Sequence, residues 1–430
     1  MKKLAIFLFT LLALGISASG QRYGVMDELR ADRRKASGVE GPHRFDSAAV
    51  FTPSPEGYSP FYIGHYGRHG SRYGYDRNHY RYLRKILEDA FKDRKLTPLG
   101  ESFRTRYLDF CTIPTINAGD LCELGCEQHK RIAGIVSDYF PEVFSASDSV
   151  RAISSSSGRC IMSMASFCTE LQKRNPRLGI SEISLRQHQP MLAPNQTVKG
   201  YNPVYRGQKD EPGGESTEDY RKRCVDTDGI CGRIFSDKDY PEKYEGGKAE
   251  FIRLLYKLLG GYRNYCEQPI FDDIVTPQQF IGMWEAANYG YYRFGMKGKY
   301  KHIPLLLDFI GTTDAAIEGN GIAADLRFGH DYVFSPFLML INANDCCHSV
   351  DTAEEVKYWY QDFNTPMAAT VLFVLYRSNN SKDILFKLII NEEEASLPQL
   401  TAVSGPYYRW SDFRQWAMEL IAEHPLEKME

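Results

Sequence analysis

Arg68-His69-Gly70-Ser71-Arg72-Tyr73 places one imidazole between two guanidiniums, directly after an apolar and aromatic run. Guanidiniums are permanently charged, planar donors to phosphoryl oxygens, and they penalise protonation of a histidine between them. The run 61–66 predicts a strand that carries this loop to the edge of a sheet, and Gly70 permits a tight turn close to an anion. The pattern predicts a phosphate site with its own nucleophile, His69. An ordinary basic surface turn is the alternative, because short motifs often match by chance.

Two strand–loop–helix units follow from the periodicity of the apolar residues. The first continues from the loop into a helix over 80–91, a break at 96–100 and a second helix around 103–107. The second unit begins with a strand at 150–153, passes through the small residues 154–158 and enters a helix that extends to 171. Because loops at the carboxyl ends of parallel strands carry the chemistry of open α/β sheets, 154–158 is a candidate second part of the site.

The rest of the chain predicts a large domain interrupted by an insertion, since 430 residues exceed what one hydrophobic core normally organises. We assign residues 21–189 and 301–430 to one α/β domain and 190–300 to a mainly helical insertion. A polar excursion over 195–216 opens the insertion, and helical spacing returns at 251–259 and 280–287. Beyond it we expect a helix at 303–309, a strand at 324–328 and a hairpin formed by 369–376 and 384–390.

The loop at 68–73 resembles the signature of the histidine acid phosphatases, which form branch 2 of the histidine phosphatase superfamily. Leu96-Thr97-Pro98-Leu99-Gly100-Glu101 also resembles the turn after the first long helix of that family. The resemblance implies a phosphoglycerate-mutase-like α/β sandwich with an inserted, mainly helical domain, and a histidine that is transiently phosphorylated. The family motif continues with proline two residues after the second arginine, where this chain has Gly74, a change that affects turn stiffness and not the reacting groups.

The same resemblance assigns roles to six residues. His69 is the nucleophile, Arg68 and Arg72 bind the phosphoryl group, and Asp331 protonates the leaving alkoxide and later assists the attacking water. Arg159 is a third phosphate ligand, preferred to Arg151 because the family places an arginine after a serine-containing loop, and His330 contacts the phosphate. Ser154 to Ser157 could add donors. Taken alone, Arg159 is equally an ordinary helix-terminal arginine, and His330-Asp331 is better explained as a structural histidine beside a capping aspartate.

Two further segments bear on the substrate. Leu326-Arg327-Phe328-Gly329-His330 and the stretch 388–398 resemble segments of multiple inositol polyphosphate phosphatases. That subgroup typically has histidine, alanine and glutamate at the acid position, whereas His330-Asp331-Tyr332 follows phytases and general acid phosphatases. Phytate or related inositol polyphosphates are therefore the leading substrates, with a broad-specificity acid phosphatase as the alternative. Four cations after the loop could meet such a substrate or form a solvated helix face: Arg77, Arg81, Arg84 and Lys85.

The N-terminus predicts export. Lys2 and Lys3 precede an apolar run over 4–16 and the small residues 17–20, which is typical of a cleavable signal peptide, here 1–20. We expect a periplasmic or secreted protein without membrane insertion. Ten cysteines suit an oxidising compartment, and Cys122 with Cys126, or Cys224 with Cys231, are close enough to bridge locally, although spacing does not establish either bond. The formal net charge of −3 does not recommend a nucleic-acid partner.

No cofactor or metal is expected. The sequence has no Walker loop or dinucleotide fingerprint, and arginines can supply the charge stabilisation that phosphoryl transfer needs. His348 follows two cysteines, but one such cluster offers too few metal ligands, and His65 is expected in the core. The competing classes are a phosphate- or glycan-binding protein that retains the fold without catalysis, and a mutase-like phosphotransferase, against which the export signal argues.

Overall fold

The computed structural model describes residues 22–45, 50–147, 149–194 and 214–425. The predicted signal peptide and most of the excursion at 195–216 lie outside these ranges. The helices are α1 Val25–Ala31, α2 Arg77–Lys92, α3 Pro98–Ile116, α4 Glu123–Tyr139, α5 Pro141–Ala146, α6 Gly158–Arg174, α7 Gln189–Leu192, α8 Thr217–Cys224, α9 Thr227–Ile234, α10 Gly247–Gly261, α11 Pro277–Gly298, α12 Ile303–Glu318, α13 Asp331–Leu340, α14 Val356–Trp359 and α15 Trp410–Glu423. The strands are β1 Tyr58–Arg68, β2 Ser149–Ser154, β3 Gly179–Ile183, β4 Ile322–Gly329, β5 Thr370–Ser378, β6 Leu385–Ile390, β7 Glu393–Ala395 and β8 Tyr408–Arg409.

The strands form one mixed sheet in the order β3-β2-β4-β1-β5-β6-β7, with β8 paired to β6. Strands β3, β2, β4 and β1 run parallel, whereas β5 and β6 are antiparallel to their neighbours. Arg68 at the end of β1 lies opposite Gly329 of β4, and Gly67 lies opposite Thr370 at the start of β5. The carboxyl ends of β1, β2 and β4 and the entry to β5 therefore share one edge of the sheet.

Helices cover both faces of the sheet. Along β1 the alternation places Tyr62 and Tyr66 in a core with α12, α13 and α15, and Ile63 in a core with α4, α5 and α6. Both faces of the central strands are buried, which explains why the sequences of these strands are nearly continuous apolar runs. The predicted α/β sandwich is confirmed, as are the predicted strands and the hairpin of β5 and β6.

A third core is helical and lies outside the sandwich. Leu83 of α2 and Phe103 of α3 are buried with Phe251 of α10 and Trp284 of α11. The first two helices after the loop at 68–73 thus pack on the helices of the 190–300 segment and not on the sheet. This packing joins part of the 21–189 segment to the helical region, and the boundaries at 190 and 300 stay a prediction.

The cysteines are unpaired. All ten lie within the described ranges and all are free thiols. The two local bridges considered from spacing are therefore absent from the structure. Cys122 precedes α4, and its Sγ donates to the carbonyl oxygen of Asn264, in the turn after α10, at 3.0 Å. In the part of the chain that the structure describes, no helix is long and apolar enough to cross a membrane.

Removing the Asp308 carboxylate is expected to destabilise the sandwich strongly. Arg327 on β4 is fully buried, and its Nε donates to Asp308 Oδ2 at 2.6 Å. Asp308→Ala removes the carboxylate that is hydrogen-bonded to that guanidinium, at an expected cost of about 3–5 kcal/mol in the free energy of unfolding, while the charge of Asp325 remains nearby. Urea unfolding measures the change. Asp138→Ala breaks the exposed pair with Arg174 and should cost less than about 1 kcal/mol; equal losses in the two variants would contradict this account.

Candidate active site

Backbone hydrogen bonds connect the loops at the shared edge of the sheet. The amide of His69, which follows β1, donates to the Gly329 carbonyl oxygen at 2.9 Å. The amide of Ser155, after β2, donates to Phe328 at 2.9 Å, and the amide of Ala368, before β5, donates to the His69 carbonyl oxygen at 2.9 Å. These main-chain hydrogen bonds hold together loops that are almost 300 residues apart in sequence, and so they fix the relative positions of the side chains on those loops.

His69 is buried and presents one ring nitrogen for reaction. Its Nδ1 lies 3.0 Å from the Gly70 carbonyl oxygen, which can only accept, so Nδ1 is assigned the proton and Nε2 the lone pair. Burial, followed by the charges of Arg68, Arg72 and Arg159, holds the pKa of His69 well below its usual value. The ring is therefore neutral at any pH near neutrality, which is the state that a nucleophile requires.

Arg68 and Arg72 enter the same site from two directions. Arg68 is fully buried, and its Nη1 donates to the Val39 carbonyl oxygen at 2.6 Å and to the Thr365 carbonyl oxygen at 2.7 Å. Arg72 donates to the Tyr73 carbonyl oxygen at 3.0 Å, and its Nη2 lies 3.9 Å from Glu40 Oε2. The Nε atoms of both arginines are buried and have no hydrogen-bond partner among the residues that the structure describes, so each guanidinium keeps a free donor there.

Arg159 and His330 face each other across the site. Arg159 lies in the first turn of α6, and its Nη2 is 3.3 Å from Nδ1 of His330. A guanidinium can only donate, so Nδ1 accepts and Nε2 of His330 carries the proton and donates to Ser155 Oγ at 2.9 Å. Burial and Arg159 lower the pKa of His330 to about 3. Both ring nitrogens already have protein partners, so the predicted contact with phosphate requires one of them to be released.

Asp331 lies beside the arginines at the start of α13. Its Oδ1 is 3.7 Å from Arg68 Nη2. Burial raises the pKa of Asp331, but Arg68, Arg72 and His330 outweigh that effect, and the net pKa is below its usual value. The free protein therefore holds Asp331 as a carboxylate.

All six residues that the sequence singled out lie at this edge of the sheet. Ring centroids of His69 and His330 are 5.7 Å apart, and the charges of Arg68, Arg72 and Arg159 all act on His69. Arg151, the alternative third arginine, instead pairs with Asp308 at 3.4 Å. The catalytic roles of the six predicted residues stay predictions, because position alone does not show a reaction.

The sequence reasoning missed the side chains that hold the loop from behind. The amide of Gly70 donates to Ser163 Oγ at 3.0 Å, and the amide of Ser71 donates to Gln128 Oε1 at 2.8 Å. Neither Ser163 nor Gln128 belongs to a motif, and no periodic signal marks them. Glu40 was also missed, since a carboxylate is not expected among phosphate ligands.

Gly70→Ala is expected to distort the loop. A Cβ at Gly70 would lie 2.7 Å from the Gly125 Cα, so the loop and α4 would have to separate. We expect a loss of roughly 1–3 kcal/mol in stability, measured by thermal unfolding, together with at least a tenfold fall in kcat/KM. Gly158→Ala is the stability control, because no atom of the described residues outside its own helix turn lies within 4 Å of the added Cβ. Equal unfolding temperatures for the two variants would contradict the close approach.

Other candidates from the sequence lie elsewhere. His65 is buried between Phe167 and Phe328, as expected for a core residue. His348 stacks on Trp359 with centroids 3.5 Å apart, and the described residues contain no group of three or more metal-ligating side chains. The four cations after the loop are exposed on α2: Arg77, Arg81, Arg84 and Lys85.

Two depressions open next to the site. One is lined by Arg72 and Glu40 together with His79 of α2 and Lys257 of α10. The other is lined by Arg159 and by residues 118–120 between α3 and α4. Tyr75, which is 62% exposed, and Asp76 line both depressions.

Solved structures with the same architecture include a multiple inositol polyphosphate phosphatase and phytases. The chain is similar to the multiple inositol polyphosphate phosphatase of Bifidobacterium longum, solved with inositol hexasulfate, with a TM-score of 0.70 and 18% identity over 91% of this chain and 98% of that one. It is similar to the phytase of D. castellii, with a TM-score of 0.66 and 15% identity over 94% and 91%. The phytase of Klebsiella sp. ASR1 gives 0.55 and 10% over 87% and 98%.

These neighbours are members of the histidine acid phosphatase family, and the chain has the fold of that family. The resemblance stated from the loop at 68–73 is thereby confirmed for the fold, which is what a likeness at 10–18% identity establishes. No protein-family model and no curated protein gives a significant match to the chain.

Proposed function

We propose that the protein is an exported phosphomonoester hydrolase that works through a phosphohistidine at His69 and acts on phytate or other inositol polyphosphates. The observation that carries the proposal is the neutral ring of His69, with Nε2 unprotonated, placed among Arg68, Arg72 and Arg159 beside the Asp331 carboxyl. Nucleophile, charge stabilisation and proton source are the three requirements for cleaving a phosphomonoester in this way.

In the first step, Nε2 of His69 attacks phosphorus while the bond from phosphorus to the ester oxygen breaks. The arginines stabilise the negative charge on the transferred phosphoryl oxygens. Asp331 gives its proton to the leaving alkoxide, which departs as the alcohol. The products of this step are an alcohol, a phosphorylated His69 and an Asp331 carboxylate.

In the second step, water attacks phosphorus and the P–N bond breaks. Asp331, now a carboxylate, takes a proton from the water as it attacks, so that the same group serves as acid and then as base. Inorganic phosphate leaves, Nε2 of His69 regains its lone pair, and Asp331 is again protonated.

The acid role requires Asp331 to gain a proton when substrate binds. In the free protein Arg68 and Arg72 keep its pKa low, against the opposing effect of burial. A phosphoryl dianion bound to these two arginines offsets their charge and adds a negative charge nearby, and both effects favour the protonated carboxyl. Proton uptake on binding therefore follows from the arrangement of the charges.

The depression beside Arg72 offers one further cation to a peripheral phosphate. Lys257 adds a positive charge beside Arg72, in a depression that the carboxylates of Glu40 and Asp76 also line. Burial and the charge of Lys257 lower the pKa of His79, so this histidine adds no charge near neutral pH. The neighbours of this fold include a multiple inositol polyphosphate phosphatase and phytases, which supports inositol polyphosphates over other esters. The exposed cations of α2 do not line this depression.

Lys257→Met is expected to lower kcat/KM for phytate by roughly five- to tenfold, because one favourable charge interaction with a peripheral phosphate is lost. For an aryl monophosphate, which has no peripheral phosphate, the change should stay within twofold. Lys85→Met, which removes an exposed lysine of α2, is the matched control and should change neither value. Equal losses on both substrates would contradict the placement of phytate in this depression.

A substrate panel tests the function as a whole. Mature protein is assayed on phytate, sugar phosphates and an aryl phosphate, and transfer to an added alcohol is compared with transfer to water. We expect release of phosphate, with the highest kcat/KM on phytate. Binding of phosphate without turnover would support the non-catalytic class. Fractionation of expressing cells tests export, for which the expected product begins near residue 21.

A further inference from the structure

Asp362 is a carboxylate buried behind the phosphate site. It belongs to a 3₁₀ turn, Asp362–Asn364, that leads into β5, and its side chain is fully buried. Its Oδ1 accepts a hydrogen bond from Trp284 Nε1 of α11 at 2.7 Å, and the Val39 amide also acts on the carboxyl group. A fully buried carboxyl group without a cation in direct contact is costly when it is charged, so its placement calls for an explanation.

The hydrogen bonds of Asp362 connect the helical region to the backbone that holds Arg68. Its amide donates to Asn288 Oδ1 of α11 at 2.7 Å, and its carbonyl oxygen accepts from the amide of Thr365 at 2.9 Å. The carbonyl oxygens of Thr365 and Val39 are the two acceptors of Arg68 Nη1, at 2.7 and 2.6 Å. The turn that begins at Asp362 therefore supplies one of the two acceptors.

The other acceptor is packed against the same carboxyl group. Gly38, which precedes Val39, has a φ of +53°, and a Cβ at this residue would overlap both carboxyl oxygens of Asp362. The backbone that presents the Val39 carbonyl thus lies directly on the Asp362 carboxyl, and glycine is the residue that permits this contact.

We propose that Asp362 is a positioning residue for Arg68: it fixes the two carbonyl groups that hold the guanidinium, and it weakens the binding of a phosphoryl dianion when its own carboxyl group ionises. The inference rests on the proposed function in one respect, which is that the Arg68 site binds a phosphoryl group. Asp362 itself acts through Arg68 and does not contact the substrate.

The electrostatic surroundings of Asp362 support the second part of the proposal. Burial raises the pKa of Asp362 to about 7 and Glu40 adds to that rise, while the Trp284 hydrogen bond, the Val39 amide and Arg68 oppose it. The charged and titratable groups that face the carboxyl from the surrounding elements are Glu40, Arg68, Tyr256, Tyr291 and Tyr360. Burial raises the pKa of each of these tyrosines well above its usual value, so they stay neutral where Asp362 titrates.

Asp362 is thus neutral in acid solution and becomes an anion near Arg68 above about pH 7. That anion offsets the guanidinium charge and repels a bound dianion, and we expect affinity to fall about tenfold. His69 and His330 do not titrate in this range, because the pKa of each is far below it. Asp331 is expected to gain a proton when the anion binds, which would add its own pH dependence. The test therefore uses Asp331→Asn, in which this group cannot titrate.

Sulfate is the probe, because it is a dianion whose charge is constant from about pH 5 to 9. Calorimetry gives its dissociation constant across that range for Asp331→Asn and for Asp331→Asn/Asp362→Asn, and Asp331→Asn/Asp351→Asn carries a control change at an exposed aspartate. Between pH 6 and 8.5 we expect the dissociation constant of sulfate to rise about tenfold in Asp331→Asn and in the control Asp331→Asn/Asp351→Asn. In Asp331→Asn/Asp362→Asn it should rise less than twofold. The same rise in all three would overturn the proposal.

The wild-type protein offers a second readout that does not depend on a variant folding. The indole N–H of Trp284 donates to Asp362, so its NMR resonance should shift with pH around a midpoint near 7. The other three tryptophans are Trp359, Trp410 and Trp416. A Trp284 resonance that is constant from pH 5 to 9 would also overturn the proposal. Failure of the proposed function would look different, since phosphate esters would not be hydrolysed while sulfate binding kept its pH dependence.

Discussion

His69→Ala is expected to lower kcat on every phosphomonoester by about 10⁴-fold or more, because it removes the atom that forms the covalent intermediate. The three arginines remain, and so does their charge. Sulfate should bind the variant with a dissociation constant within about threefold of the wild-type value, since an uncharged ring is lost from a site held by guanidiniums. Steady-state kinetics and calorimetry measure the two quantities on the same preparation.

The contrast between the two readouts distinguishes a nucleophile from a structural histidine. A histidine that only supported the loop would change sulfate binding and kcat together. His348→Ala is the matched control, because that ring stacks on Trp359 away from the site and its loss should leave kcat within twofold. Residual turnover by His69→Ala above a tenth of the wild-type rate would contradict the assignment.

Asp331→Asn is expected to slow turnover of alkyl phosphates such as phytate by about 10²–10⁴-fold, because the alkoxide then leaves without a proton. The effect on the phosphorylation step should be far smaller for p-nitrophenyl phosphate, whose phenolate is a good leaving group. Stopped-flow measurement of the first turnover gives this step directly. The asparagine keeps the shape of the side chain, so the geometry of Arg68 and His330 should persist.

Binding of sulfate supplies the second half of this test. The wild-type protein should take up close to one proton per sulfate at mildly acidic pH, because the anion offsets the arginines that keep the pKa of Asp331 low. Asp331→Asn should take up distinctly less. Calorimetry in buffers with different ionisation enthalpies counts the protons. Equal losses in the first-turnover rate on both esters, or equal proton uptake in the two proteins, would contradict the acid role.

The α/β sandwich and the location of the candidate site could both be predicted from the sequence. The apolar segments before His69, Ser155 and His330 indicate buried strands, and parallel strands present their carboxyl ends at one edge. Once the strands are placed, the convergence of Arg68, Arg159 and Asp331 follows from topology. Helical spacing likewise located α2, α10 and α11.

The surroundings of the site could not be predicted, because they depend on contacts between segments that share no pattern. Asp362 appears in the sequence as an aspartate in a polar turn, and its burial depends on Trp284 and on the space left by Gly38. Glu40 precedes β1 by many residues and meets Arg72 only in the folded chain. The pairing of α2 and α3 with the helices of 190–300 is equally invisible to periodicity, which specifies an apolar face and not its partner.

The most direct test of the covalent mechanism is to trap the phosphorylated protein. Asp331→Asn is mixed with p-nitrophenyl [³²P]phosphate, because this ester can phosphorylate the variant while loss of the base slows hydrolysis of the intermediate. The reaction is stopped with alkaline denaturant, since a P–N bond survives base and not acid, and peptides are mapped. The account predicts label on the peptide that contains His69, and none in Asp331→Asn/His69→Ala. Release of p-nitrophenol without labelled protein, or label on any other residue, would contradict it.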